Sequence, residues 1–185
     1  LQKGKQWDRM ASVMEREVKN AADAAQKIEI LRRLARLHIE KLGAADQAIV
    51  VYKEILALDP KDQIAGRAVV EILERHERWA ELAQIMRQQL EQVATRQERL
   101  NFLRRLMVLY HDRIGDLVEG SWAATEVLQL APGDREALAH LEAILEASED
   151  KPRLVQTLEY HAGYAATVEE KLQLLTRVAT IVQKD

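Results

Sequence analysis

The sequence predicts an all-α protein of about ten helices, arranged as antiparallel pairs. Three observations carry this prediction: the composition favours helices, apolar residues recur at helical spacing, and the chain repeats itself after 72 residues. Glycine occurs 7 times and proline 3 times in 185 residues, and aromatic residues make up 4%. Alanine, leucine, glutamate, glutamine and arginine are abundant, and all five are strong helix formers.

The composition and the charge narrow the classes of function. With 48% apolar and 31% charged residues, the chain is not of the disordered type. A net charge of −3 gives no reason to expect a nucleic acid as partner. Cysteine is absent, which excludes disulfides, thiolate catalysis and cysteine-based zinc sites. No apolar run approaches the roughly 18–20 residues of a membrane span, so no membrane insertion is expected. A cytoplasmic location is favoured, and a periplasmic one is left open.

The repeat is visible without gaps. Comparing 6–77 with 78–149 gives 20 identities in 72 positions. The matched pairs include Trp7 with Trp79, Leu31 with Leu103, Gly43 with Gly115, Pro60 with Pro132 and Asp62 with Asp134. A third, partial copy over 150–185 continues the same apolar register. Such a register indicates a repeat architecture, in which neighbouring modules bury the face that one module cannot cover alone.

Each 72-residue unit is predicted to hold four helices, which in the first unit are 6–20, 24–42, 44–58 and 62–76. Gly43 suits a helix C-terminus that needs a positive φ. Pro60 ends a helix, and Asp62 can cap the next one. The module is therefore a helix pair of about 36 residues. One solenoid segment over 1–185 is expected, with pairs at 24–60, 62–94, 97–132 and 134–165, and partial units at 1–20 and 167–185.

One pair carries a more specific pattern. It consists of Leu31, Leu34, Ala35 and His38 on the first helix, Ala48 and Tyr52 on the second, and then Pro60. This pattern resembles the tetratricopeptide repeat, strongly over 28–60, moderately over 100–132 and by phase elsewhere. The resemblance implies a right-handed α-solenoid. It also implies that the stretch between His38 and Gly43 is one residue longer than in the usual 34-residue repeat.

The ends of the chain lead to two further expectations. Residues 1–5 align with the last turn of a helix, so a helix end is expected there before the helix at 6–20. Neither end shows a polar capping helix, which such arrays normally have. The sequence is therefore expected to be a segment of a longer array, and its end faces could self-associate.

The resemblance also supplies a candidate binding surface. In tetratricopeptide proteins the fifth and ninth positions of each first helix face a concave groove, where Arg32, Arg67 and Arg104 would take the fifth position. The candidate partner-binding residues are Arg32, Arg36, Arg67, Glu71, Asn101, Arg104 and Val108. Because a guanidinium grips a carboxylate bidentately, an acidic peptide or an acidic helix is the expected ligand. The alternative is that these arginines only solubilise the surface and pair with Glu29, Glu40, Glu71 and Glu74.

The five histidines are not expected to form a site. His38 occupies an aromatic position of the repeat and is predicted to pack, while His76 and His111 lie near helix ends and are predicted to be solvated. His140 and His161 lack the spacing of a metal-binding motif. No catalytic residue, cofactor or metal is therefore expected.

The expected function is a non-enzymatic scaffold that binds a protein or a peptide in its concave groove. Two alternatives stay open at this point. One is a structural spacer or self-assembly module, and the other is the regulatory repeat region of a larger signalling protein or enzyme.

Overall fold

A computed structural model describes the backbone of residues 2–183 and the side chains of residues 4–183. Over that range the chain is all-α, as predicted, with ten α-helices and no strand. The helices are α1 (Gln2–Lys19), α2 (Ala24–Leu37), α3 (Ala45–Leu58), α4 (Gln63–Arg75), α5 (Trp79–Leu90), α6 (Arg96–Val108), α7 (Leu117–Leu130), α8 (Arg135–Ala147), α9 (Lys151–Gly163) and α10 (Val168–Gln183). Within α1–α5 and within α6–α10, the loops are so short that consecutive helices run antiparallel.

The helices reproduce the repeat of the sequence. Helices α6 to α10 each begin 72 positions after α2 to α6. The predicted bounds of the helices over 24–76 hold to within about two residues, which is the usual uncertainty of a helix end.

The start of α1 differs from the prediction. Residues 1–5 were expected to end a preceding helix. Leu1 lies outside the described residues, and from Gln2 onward α1 runs without a break to Lys19. The equivalent stretch of the second copy does break, because Glu77 turns the chain with a φ of 53°. The first copy has Lys5 at that position, and α1 continues through it.

Local capping signals set most of the helix starts. Seven of the described helices have a side-chain oxygen at the N-cap that accepts a hydrogen bond from a backbone N–H of the first turn. These caps are Asp23, Asp62, Thr95, Asp116, Asp134, Asp150 and Thr167. Each such cap contributes about 1 kcal/mol to stability.

The additional residue in the long first helix is absorbed by a π-helical turn. Helix α2 continues into a π turn at His38–Leu42, and α6 continues into one at Leu109–Ile114. The N–H groups of Gly43 and Ala44 both donate to the carbonyl of His38. A π turn accommodates one additional residue without unwinding the helix. Gly43 and Gly115 then end these turns with φ values of 61° and 74°.

The chain divides into two compact units, one up to Gln92 with α1–α5 and one from Val93 with α6–α10. Within each unit, every helix packs against the next one along the chain. Within each unit the pairs therefore stack in chain order. That the whole chain forms one right-handed array stays a prediction.

The repeated leucines form the core of each unit. Leu31 and Leu34 are 1% and 3% exposed, and Leu103 and Leu106 are both 0% exposed. Truncating a leucine buried to this degree costs about 2–5 kcal/mol. The leucines of the two Leu-Arg-Arg-Leu stretches, at 31–34 and 103–106, therefore hold the stack.

Candidate functional site

The first arginine of each Leu-Arg-Arg-Leu stretch lies in an internal ion pair. Arg32 on α2 donates to Oδ2 of Asp62, whose side chain is 2% exposed. Arg104 on α6 donates to Oδ2 of Asp134 from Nε at 3.1 Å and from Nη2 at 2.5 Å. The two pairs occupy equivalent positions of the repeat. Each joins the first helix of one pair to the first helix of the next.

The same aspartates also cap helices. Oδ1 of Asp62 accepts from the N–H of Ala65 at 2.9 Å, and Oδ1 of Asp134 accepts from the N–H of Ala137 at 2.9 Å. Each carboxylate thus starts a helix with one oxygen and binds an arginine with the other. Burial alone raises the pKa of Asp62. The hydrogen bonds from Ala65 and Arg32 outweigh burial, however, and hold that pKa below its ordinary value.

This geometry changes the interpretation of Arg32 and Arg104. Both were predicted to offer their guanidinium groups to an external carboxylate, but an internal carboxylate already occupies them. The side chains are 28% and 37% exposed, so part of each still reaches solvent. Glu29, the partner expected from the sequence, lies 3.8 Å from Arg32 and is the weaker contact. The sequence assigned Asp62 only as a cap.

Three other candidate residues of the first unit are exposed. Arg36 is exposed on α2, and Arg67 and Glu71 are exposed one turn apart on α4. Arg67 donates to Oε1 of Gln63 at 3.3 Å, and Glu71 pairs with Arg75 at 2.8 Å. These contacts lie within one helix between exposed side chains, where such pairs contribute little to stability. A ligand could therefore replace them at small cost.

The charges of two of these residues act on the pKa of one buried tyrosine. Burial raises the pKa of Tyr52 on α3, the charge of Arg36 lowers it, and the charges of Glu40 and Glu71 raise it further. Charges on α2 and on α4 therefore both act on the pKa of this tyrosine of α3. We call the set Arg36, Arg67 and Glu71 the arginine face.

The two candidates of the second unit differ from each other. Asn101 is exposed on α6, and its Oδ1 accepts from Nε2 of Gln97 at 3.1 Å. Val108 is half-buried at the end of the same helix. Position 139, the counterpart of Arg67, is an alanine. The arginine face thus has no copy in the second unit.

A charged network that the sequence did not reveal fastens α10 to α8. Glu142 is 6% exposed and receives Arg177 of α10 at 2.7 Å. Its other oxygen lies 2.5 Å from Nδ1 of His161 on α9. Burial lowers the pKa of Arg177, but the hydrogen bonds to Glu142 and Glu146 outweigh burial and raise it. Val70 is the counterpart of Glu142, so the repeat pattern held no signal for this network.

The prediction for His111 was wrong. This residue is half-buried rather than solvated, and its Nδ1 lies 2.9 Å from Nδ1 of His140. The two rings meet edge to face at 84°. His38 is buried, as predicted for a packing residue. The two histidines are 29 positions apart, so no local sequence motif could have indicated their contact.

Solved helical-repeat structures are similar to this chain. A crystal structure of MamA is 14% identical and covers 94% of this chain and 91% of its own, with a TM-score of 0.47. A crystal structure of yeast Tom70 is 18% identical and covers 97% of this chain and 37% of its own, with a TM-score of 0.46. The tetratricopeptide domain of P58(IPK) is 14% identical and covers 94% of this chain and 56% of its own, with a TM-score of 0.43.

No protein-family model matches the sequence, and no curated protein matches it either. Among the described helices, none combines the length and the apolar character that crossing a membrane requires.

Proposed function

We propose that this chain is a non-enzymatic helical-repeat scaffold that binds a protein or an acidic peptide segment on the exposed side of its first helices. The observation that carries the proposal is the arginine face. Its three charged residues lie on α2 and α4, the first helices of two consecutive pairs. The core beneath these helices is formed by other residues, among them the buried Leu31 and Leu34.

The arginines of the first unit differ in their contacts, and this difference supports the proposal. Arg32 binds Asp62 and joins two helix pairs, while Arg36 and Arg67 are exposed and make no contact of comparable burial. A ligand carboxylate that pairs with Arg36 and Arg67 would displace water and weak surface contacts only. Specificity could therefore change at these positions without disturbing the core.

The proposal depends less on the candidate residues of the second unit, which are Asn101, Arg104 and Val108. Arg104 holds the cap of α8, as Arg32 holds that of α4. Asn101 and Val108 could contribute a polar and an apolar contact to a ligand bound along α6. The proposal rests on the arginine face and does not require them.

The test uses charge reversal. Peptides selected from a displayed random library on the full 185-residue chain are expected to be rich in aspartate and glutamate. The double variant Arg36→Glu/Arg67→Glu should weaken their binding at least about tenfold, as measured by fluorescence anisotropy, because charged groups across an interface must be complementary. Its melting temperature should hardly change, because surface substitutions usually alter stability by about 0.5 kcal/mol or less.

The matched control is Lys5→Glu/Lys19→Glu, which makes the same change of charge at exposed positions of α1. If the control weakens binding as much as the double variant, the effect is one of net charge and the arginine face is not the site. If the selected peptides carry no acidic bias, the proposed partner chemistry is wrong.

A second candidate function is self-assembly, and the exposed apolar side of α10 favours it. Leu172 and Leu175 are 59% and 41% exposed. Their counterparts in the second copy, Leu100 and Leu103, are 8% and 0% exposed, and the helix α6 that carries them packs against α7. Another helix pair could cover α10 in the same way, so stacking of one chain upon another is a physically available alternative.

A further inference from the structure

Two histidines and an aspartate converge between the π turn after α6 and the adjacent helix α8. Nδ1 of His111 lies 2.9 Å from Nδ1 of His140 and 3.0 Å from Oδ1 of Asp112. All three ligand atoms lie within 4.8 Å of one another. Both histidines are half-buried and Asp112 is exposed, so the cluster opens to solvent on the aspartate side.

The repeat shows that packing does not require these histidines. In the first copy Ile39 and Ala68 occupy the positions of His111 and His140, and Glu40 occupies that of Asp112. Helices α4 and α8 begin at equivalent residues and have equal lengths, so the backbones of the two copies are closely matched here. The second copy thus has two imidazoles in contact where the first copy has two apolar side chains.

The chemistry of the three atoms is that of a transition-metal site. Without a metal, one Nδ1 must carry a proton and the other must accept it. When a divalent ion binds, that proton moves to Nε2 of the same ring, and both Nδ1 lone pairs coordinate the ion. Two imidazole nitrogens on one Zn²⁺ at about 2.0–2.1 Å lie roughly 3.4 Å apart in a tetrahedron. The nitrogens therefore need to separate by only about half an ångström, which rotation of the side chains allows.

We propose that His111, His140 and Asp112 bind a divalent transition-metal ion of the zinc class. Imidazole and carboxylate ligands together select zinc, nickel or copper over magnesium and calcium, which prefer oxygen ligands alone. Three protein ligands leave the fourth tetrahedral position to water or to a group of a partner. The ion links the π turn after α6 to α8 and so fixes one helix pair to the next within the second unit.

The experiment measures Zn²⁺ binding by calorimetry on the untagged chain after treatment with a chelator. One ion per chain should bind, and the melting temperature should rise with the concentration of free Zn²⁺. The variant His111→Ile/His140→Ala restores the residues of the first copy and should therefore fold. It removes two of the three ligands and should lower the affinity at least about 100-fold.

The control variant is His76→Ala, which removes an exposed histidine and should leave the affinity unchanged. A measurement on the unaltered protein gives an independent test. In long-range ¹H–¹⁵N spectra, Zn²⁺ should shift the Nδ1 resonances of His111 and His140 and leave those of the other histidines in place. The proposal is overturned if the wild-type chain shows no saturable binding, if the double variant binds equally well, or if other histidines shift instead.

Discussion

At the scale of single residues, the two aspartates at positions 62 and 134 explain why adjacent arginines recur in a helix that buries its leucines. One oxygen of Asp62 caps α4 and the other binds Arg32, and the same arrangement recurs at Asp134 with Arg104. A single carboxylate thereby couples the start of one helix to the body of another. The sequence contained a signal for this pairing, because both members recur together after 72 residues, whereas Arg67 does not recur.

The variant Asp62→Ala should therefore lose more than a cap. We expect a loss of about 2–4 kcal/mol in urea unfolding, since the cap contributes about 1 kcal/mol and the half-buried Arg32 loses its counter-ion. Asp62→Asn should cost less, because the amide oxygen can still cap. The comparison is Asp23→Ala on α2, where the aspartate is exposed and only caps. Equal losses at positions 62 and 23 would show that the ion pair adds nothing.

His38 makes stability depend on pH. Burial lowers the pKa of His38, and the charge of Glu15 opposes that effect only in part. Within the described residues its Nδ1 has no hydrogen-bond partner. The unfolded chain therefore binds a proton more readily than the folded one. His38 thus destabilises the fold as the pH falls through 6.5, the ordinary pKa of a histidine in an unfolded chain.

The variant His38→Tyr places at position 38 the residue that the second copy has at Tyr110. It should raise the midpoint of urea unfolding more at pH 5.5 than at pH 8, because tyrosine stays neutral at both. The variant His76→Ala, at an exposed histidine, provides the reference. An unchanged dependence of stability on pH between 5.5 and 8 would contradict this account of His38.

At the scale of elements, local signals account for what the sequence predicted correctly. The caps at Asp62 and Asp134, the glycine at 43 and the proline at 60 each determine the backbone within a few residues. Contacts between helices were harder to predict. The facing histidines 111 and 140 and the network around Glu142 join residues that are far apart in the chain and do not recur. Neither the helical period nor the 72-residue register could therefore indicate them.

The glycines that end the two π turns can be tested for whether their positive φ requires glycine. Gly43 and Gly115 have positive φ, and a Cβ atom at either position would meet nothing within 4 Å. Any cost of Gly43→Ala or Gly115→Ala is therefore conformational, about 1–2 kcal/mol by thermal unfolding. Gly163 also has open space around it, but its φ is not positive. Gly163→Ala should thus be neutral or stabilising, and a similar loss there would refute the conformational explanation.

At the scale of the whole molecule, each unit is a set of helices in which chain neighbours are packing neighbours. Such modules bury apolar surface only where another helix follows, as α7 does for α6. Leu172 and Leu175 on α10 are exposed where their counterparts on α6 are buried. The exposed side of α10 and the arginine face therefore represent two different kinds of contact, one apolar and one charged.

Sedimentation velocity distinguishes self-assembly through the apolar side of α10 from binding at the arginine face. If α10 mediates self-assembly, the wild-type chain should associate as its concentration rises, and Leu172→Glu/Leu175→Glu should remain monomeric. High salt should not weaken this association, because burial of apolar surface is not screened by salt. Charge reversal on the arginine face should leave it unchanged. A wild-type chain that stays monomeric over the whole concentration range would exclude self-assembly through α10.

The π turns also record the order in which the molecule arose. Both copies have a π turn that ends one residue before a glycine, and both have the arginine–aspartate pair. Features shared at equivalent positions were present in the ancestral 72-residue block before it was duplicated. The facing histidines occur in one copy only, so the copies diverged there after the duplication. The helical framework thus predates the duplication, and the two copies came to differ at the histidine positions after it.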